Sequence, residues 1–327
     1  MSDPSTLASL SPRRSPLWLS LVAASSLIVG CVDEELDALG DDPTDDPTDP
    51  LSDDGDITTE SDGEPETWAV GSVAVIATTG GTDQGGTPTI RVPNGTRAGD
   101  LLLLFLHRTD DTNFWANNGS GDRLSDRLRP WRSGGWKGPV ATCAFDNSAG
   151  DFDCAGQQND LNQVLYWKKA TTDDLRPDPR DSTRYEPLTI DFPGSRPAWA
   201  IMATVRNGGA SSNPVRAWAG QTRCDNVEGT RFPAVSGAKA GDLLLLSQSF
   251  DDGTGSPGYL SSSSFTARSP ITRYRQVLDR DEAGHLYGRV LTADGTTPVY
   301  ETNGDPDRNL SHCKDIAVSI VIRRSGT

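Results

Sequence analysis

The chain has 327 residues, with 46 Asp and Glu against 30 Lys and Arg, a formal charge of −16 and a mean hydropathy of −0.49. An excess of negative charge repels phosphate, which disfavours a nucleic-acid partner. With 33 Gly, 22 Pro and 35% hydrophobic residues, the composition suits short strands joined by turns rather than long helices.

The first element is a positive start, Arg13-Arg14, followed by an apolar run from Leu17 to Val29. That run is too short for a bilayer, which needs about 20 residues, and has the layout of an export signal. It ends in Leu27-Ile28-Val29-Gly30-Cys31, which resembles the lipobox of bacterial lipoproteins. The resemblance implies a signal peptide over 1–30 and acylation (palmitate among the chains) of Cys31 as the first mature residue. Several acyl chains hold a protein on a membrane stably where one does not. An ordinary secretory signal that happens to contain Cys is the rival reading. Val32 stands where the family's inner-membrane retention signal has Asp in enteric bacteria, so for a Gram-negative chain the expected address is the cell envelope at the outer membrane, with exposure at the cell surface suggested by the acidic run that follows.

Residues 31–66 form the second element. Val32 to Glu66 contains 16 acidic residues and no Lys or Arg, with the short repeat Asp41-Asp42-Pro43-Thr44-Asp45-Asp46-Pro47-Thr48. A segment that repels itself and has little apolar area to bury is expected to be a disordered tether, with a root-mean-square reach of roughly 33 Å. Collecting calcium, or directing export to the surface, are alternative roles for it. Almost all of the chain's negative charge lies in this segment, since residues 67–327 carry a net charge of only −1.

Residues 67–327 are predicted to be all-β, a jelly-roll-like sandwich of two related halves, about 72–206 and 215–324. Alternation is plain in Ile316 to Ile322, and in Trp199, Ile201, Ala203 and Val205 against Ala200, Met202 and Thr204; period two is the signature of strands. Arg97-Ala98-Gly99-Asp100 followed by four Leu recurs as Lys239-Ala240-Gly241-Asp242 followed by four Leu. This predicts a Gly-Asp turn feeding a strand buried on both faces. Leu165-Tyr166 with Lys168 is matched by Leu286-Tyr287 with Arg289, and the two alternating strands follow in the same order. The wider spacing in the first half predicts an insertion of about 21 residues, placed over Trp131 to Cys154. One sandwich built from two related sheets is preferred over two independent domains.

Val92-Pro93-Asn94-Gly95-Thr96, the two Gly-Asp-Leu-Leu runs, the Leu-Tyr strand and Ala203 to Gly208 with Asn213-Pro214 together resemble a module of secreted bacterial and phage tail-associated proteins, over roughly 72–324. These motifs are structural, and fold does not fix function.

Four cysteines besides Cys31 remain: Cys143, Cys154, Cys224 and Cys313. An even number in an exported domain reads as two disulfides, with three connectivities open; local spacing favours Cys143 with Cys154, leaving Cys224 with Cys313. Zinc is disfavoured because no Cys-x-x-Cys or paired His accompanies them. No hydrolase, zinc-protease or phosphate-loop motif is found, and His107, beside Asp110 and Asp111, reads as a solvated or capping strand-end residue. Two binding features stand out. Asp146, Asn147, Asp151 and Asp153 offer hard oxygens for calcium around Gly150, with Asn303 to Asp307 as a weaker second set. Trp115, Trp131 and Trp136 lie in polar sequence and offer faces for a glycan or a protein ligand, or plugs for the core. The expected function is a membrane-anchored, non-catalytic binding module for a glycan, an envelope polymer or a protein. The alternative is an exported polysaccharide hydrolase using an Asp or Glu pair, which is recognised by separation in space.

Overall fold

The computed structural model describes residues 72–83, 85–109, 128–129, 135–146, 151–153, 161–190, 192, 197–209, 213–222, 229–251, 266–279, 282–303 and 315–326. The first half runs β1 (Ala74–Asp83), β2 (Thr89–Arg91), β3 (Leu101–Arg108), β4 (Leu128–Arg129), β5 (Lys137–Asp146), β6 (Asp151–Asp153), β7 (Leu161–Lys169), β8 (Pro187–Ile190) and β9 (Ala198–Arg206). The second runs β10 (Val215–Thr222), β11 (Arg231–Phe232), β12 (Leu243–Asp251), β13 (Thr266–Ala267), β14 (Thr272–Asp279), β15 (Glu282–Val290), β16 (Tyr300–Asn303) and β17 (Asp315–Ile322). Among the described residues the only helical element is a 3-10 turn at Thr172–Leu175, and no helix is long and apolar enough to cross a membrane.

The strands form four antiparallel sheets whose orders match half for half. In the first half these are β1-β9-β3-β7-β5-β6 and β2-β8-β4; in the second, β10-β17-β12-β15-β14 and β11-β16-β13. In both halves the last strand is inserted between the first and the third, which is the wrapping of a jelly roll. The likeness extends to detail: the first strand of each half carries its register shift at the same place, between Val75 and Ala77 and between Val215 and Ala217. Tyr166 lies opposite Leu104 and Tyr287 opposite Leu246, so the Leu-Tyr landmark occupies one structural position twice. Strand β6, paired to β5, has no counterpart among the described residues of the second half and falls within the predicted insertion.

Three cores separate the sheets. Leu101, Leu103 and Phe105 of β3 pack with Leu243 and Leu245 of β12, and with Ile201 and Ile320 from β9 and β17, so the two large sheets face each other across one core. Leu102, Leu104 and Leu106 point the other way, onto Ile90, Leu188 and Ile190 of the first small sheet. Leu244 and Leu246 likewise meet Phe232 and Tyr300 of the second small sheet. The leucine runs are continuous because neither face of these strands reaches water. Each fully buried Leu contributes about 1.5–3 kcal/mol.

The Gly-Asp turn is built identically twice. Gly99 and Gly241 sit at φ +93° and +86°, where a Cβ is disfavoured. The Gly99 N–H donates to the Ala170 carbonyl and the Ala170 N–H to the Asp100 carbonyl, both at 2.8 Å; Gly241, Leu291 and Asp242 repeat the pair at 2.8 Å. Each Asp side chain accepts from the N–H three residues earlier, Arg97 at 2.9 Å and Lys239 at 3.0 Å. The halves differ in the cation that completes the turn. Asp100 takes Arg206 of β9 at 2.8 Å, whereas Asp242 takes Arg216 of β10 at 2.6 Å. The Arg206 guanidinium is raised above its ordinary range by that hydrogen bond.

Candidate functional site

The strand directions give the sandwich two unlike ends. At one, β1 begins beside the close of β9, with Ala74 opposite Arg206, and the short Gly-Asp turns lie there. At the other end β3, β10 and β12 finish while β7, β9, β15 and β17 begin. Stretches of sequence separate β3 from β4, β6 from β7, β10 from β11, β12 from β13 and β16 from β17. We call this second end the loop end; the entry end carries a long polar connection of its own, 170–186 between β7 and β8.

Beneath the loop end the core turns polar. His107 is fully buried between the large sheets and stacks on Trp199, with ring centroids 5.6 Å apart and planes 2° from parallel. This corrects the sequence expectation for His107, which is neither solvated nor a cap; position 107 continues the inward-facing series of Leu103 and Phe105 on a strand covered on both sides. Neither of its ring nitrogens has a hydrogen-bond partner, nor do Trp199 Nε1, Gln163 Oε1 or Ser249 Oγ. Behind the second large sheet, Gln248 Nε2 donates to Thr230 Oγ1, which donates to Asp315 Oδ2 at 2.8 Å. The Thr230 N–H donates to Thr302 Oγ1 at 2.9 Å. His285 lies opposite Gln248 in this register and is also fully buried. Desolvation pushes both histidines down to about 3, helped for His285 by the positive charge of Arg273 and by His107. They are neutral across the physiological range, and sealed from solute they serve as polar packing.

Of the aromatic candidates, Trp136 is half-buried against the core under the first small sheet, at the entry end, next to the start of β5. Lys168 Nζ stands 5.6 Å from its ring centroid and pairs with Asp174 at 2.7 Å, with both charged side chains at most 3% exposed. The structure therefore uses Trp136 as a lid on a buried ion pair. Trp115 and Trp131 lie outside the described residues, as does Cys31. Of the calcium candidates, Asp146 sits opposite Asp151 at the tip of the β5-β6 hairpin, with Asp153 opposite Ala144; Asn147 is outside the described residues. No group of three or more His, Cys, Asp or Glu suited to a metal occurs among the described residues.

Cys143 is fully buried in β5 and disulfide-bonded; Cys154, Cys224 and Cys313 lie outside the described residues. The described carboxylates Asp100, Asp174, Asp178 and Asp242 are engaged by Arg206, Lys168, Arg91 and Arg216. For Asp178, the Arg180 backbone N–H and then Arg91 hold the carboxyl below its usual range. Sequence reasoning missed the Lys168 to Asp174 pair and the network around Thr230. Lys168 drew notice only as a repeat landmark, and nothing in its neighbours announced burial.

Comparison of the chain with protein-family models, with curated proteins and with solved structures gave no match.

Proposed function

We propose that the protein is an envelope lipoprotein, acylated at Cys31, whose double jelly roll presents its loop end to a glycan, an envelope polymer or a protein partner. The observation that carries this reading is the polarity of the sandwich. The chain enters β1 at one end, beside the Gly-Asp turns, and β3, β10 and β12 finish at the other. The disulfide at Cys143 supports export, because such bonds persist in oxidising compartments.

Its proposed partner is Cys154: the β5-β6 register, Ala144 with Asp153 and Phe145 with Phe152, carried one residue further pairs positions 143 and 154. Cys224 and Cys313 stand two and three residues beyond Thr222 and Ile316, the last pair of the β10-β17 ladder, which supports their bonding to each other. Trp115 and Trp131 are the proposed ligand-facing rings. Asp146, Asn147, Asp151 and Asp153 are the proposed calcium loop.

The test is retention of residues 31–327, carrying Cys31→Ser, on a panel of glycans and envelope polymers, with calcium and with chelator. Retention that is lost in Trp115→Ala or Trp131→Ala supports the reading, and chelator sensitivity supports the calcium loop. Release of reducing ends from any polysaccharide would replace it with hydrolysis.

A further inference from the structure

The inward-facing polar groups beneath the loop end meet across the two halves. Trp199, His107 and Gln163 are directly paired neighbours on β9, β3 and β7, and each continues the face that carries Ile201, Phe105 and Leu165 into the shared core. On the second large sheet, Ser247 and Ser249 continue the face of Leu243 and Leu245. The sheets lie strand over strand. The Thr78 hydroxyl of β1 donates to the Tyr274 carbonyl of β14 at 2.9 Å, and Trp199 of β9 lies against Gly284 of β15, where a Cβ would stand 2.7 Å from the indole nitrogen. With β1 over β14 and β9 over β15, the sheet orders set β3 over β12. Trp199 is level with His107, and Gly284 with Ser249, so His107 stands over Ser249. The two are equivalent positions in the two halves, each seven residues after the Asp of its Gly-Asp turn.

All five polar side chains are at most 1% exposed. Six of their atoms have no hydrogen-bond partner among the described residues: both ring nitrogens of His107, Trp199 Nε1, Gln163 Oε1 and the two serine hydroxyls. Stacking engages the faces of the His107 and Trp199 rings, so their nitrogens, at the ring edges, stay open to in-plane bonds. Trp199 Nε1 can only donate and Gln163 Oε1 only accept, while a neutral imidazole and the hydroxyls do both. Left dry, six such groups would together cost about as much as a domain's whole net stability. A metal does not suit this set, since one imidazole falls short of the ligands that a structural site takes. Water both donates and accepts, and at about three hydrogen bonds each, about two waters serve the six atoms.

We infer that this row is a water-binding site, in which about two ordered waters bridge Trp199 Nε1, His107 and Gln163 of the first half to Ser247 and Ser249 of the second. The two jelly rolls are thereby joined by directional bonds as well as by apolar contact. A fully satisfied polar network specifies one arrangement of a core where apolar surfaces alone can slide, so the waters fix the register of one half on the other. This inference needs neither acylation of Cys31 nor a ligand at the loop end, so it stands or falls separately from the proposed function.

Water NOESY and ROESY spectra of isotope-labelled residues 31–327 with Cys31→Ser test this at the indole N–H of Trp199, assigned through its contacts with His107 and Gly284. A bound water of nanosecond residence gives cross-peaks of opposite sign in the two spectra, whereas proton exchange gives the same sign in both. The expected result is a bound-water peak at the Trp199 indole, and its loss when His107→Leu and Ser249→Val are combined. Oxygen-17 relaxation dispersion of the solvent counts long-lived waters, and should fall by about two from the parent chain to that double variant. A Trp199 indole without a bound-water peak overturns the inference, and so does a dispersion amplitude that the double variant leaves unchanged. Where the double variant fails to fold, the peak in the parent chain decides alone.

Discussion

Acidification between pH 7 and pH 5 is the most searching perturbation of the buried polar layer. His107 and His285 sit near 3 in the folded protein, against about 6.5 when unfolded. A lowered histidine gives the unfolded chain more bound protons once the pH drops below 6.5, so stability is full at high pH and falls as the pH falls toward 3. Integrating that proton difference from pH 7 to pH 5 gives about 2 kcal/mol per histidine, or about 4 kcal/mol for the two. Ordinary carboxylates titrate lower, near 4, so the window above pH 5 belongs to histidine. Urea unfolding at fixed ionic strength at pH 7, 6 and 5 reads the loss directly. His285→Val is a suitable probe, because the equivalent first-half position holds Val164 in the same register; it should halve the loss. Adding His107→Leu should flatten the profile. A wild-type loss below about 1 kcal/mol, or a double variant as pH-sensitive as the wild type, would refute the claim that both imidazoles are buried and neutral.

Further outcomes follow from packing and pairing. A Cβ at Gly284 would stand 2.5 Å from Trp199 Cδ1, so Gly284→Ala should cost about 1–3 kcal/mol by overpacking, with part recovered by Trp199→Leu in denaturant melts. Asp242→Ala strips a fully buried carboxylate from Arg216 and from the Lys239 N–H and should cost about 3 kcal/mol. Asp100→Ala should cost less, since Arg206 is 26% exposed and can regain water. Trp136→Ala should lower stability by about 1–3 kcal/mol and leave polymer retention intact, because its ring covers the Lys168 to Asp174 pair. Reduction should cost about 3 kcal/mol for a 143–154 bond and nearer 5 for a 224–313 bond on loop-entropy grounds; peptide mapping without reductant checks the pairing.

The fold was legible where period two and repetition agree. The four-leucine runs announced strands covered on both faces, and the doubled Gly-Asp announced a doubled turn; both features depend on backbone conformation and burial, which short sequence windows encode. What the sequence concealed was the number of layers. Strands of two to four residues such as β4, β11 and β13 have too little pattern to distinguish from loop, yet they cover the outer face of each large sheet. The polar layer was concealed for a different reason. His107, Gln163 and Ser249 look like strand-end residues facing water, and only the opposing sheet shows that they do not. Lys168 and Asp174, six residues apart, meet because the chain reverses after β7. The Trp136 contact likewise depends on which strand follows which in space, which local sequence does not carry.

The placement of β17 has a bearing on how the molecule comes to exist. Among the described residues, strand β17 supplies the only ladder that holds β10 and one of the two that hold β12, so the second large sheet stays in two pieces until β17 pairs. β9 plays the same part for β1 and β3. Each jelly roll thus closes on its final strand, and the inward leucines of the first have no facing sheet until the second has closed. The chain must carry that exposed apolar surface throughout its synthesis and any passage through a membrane. Loss of the eight residues of β17 would open the structure from within rather than trim its edge.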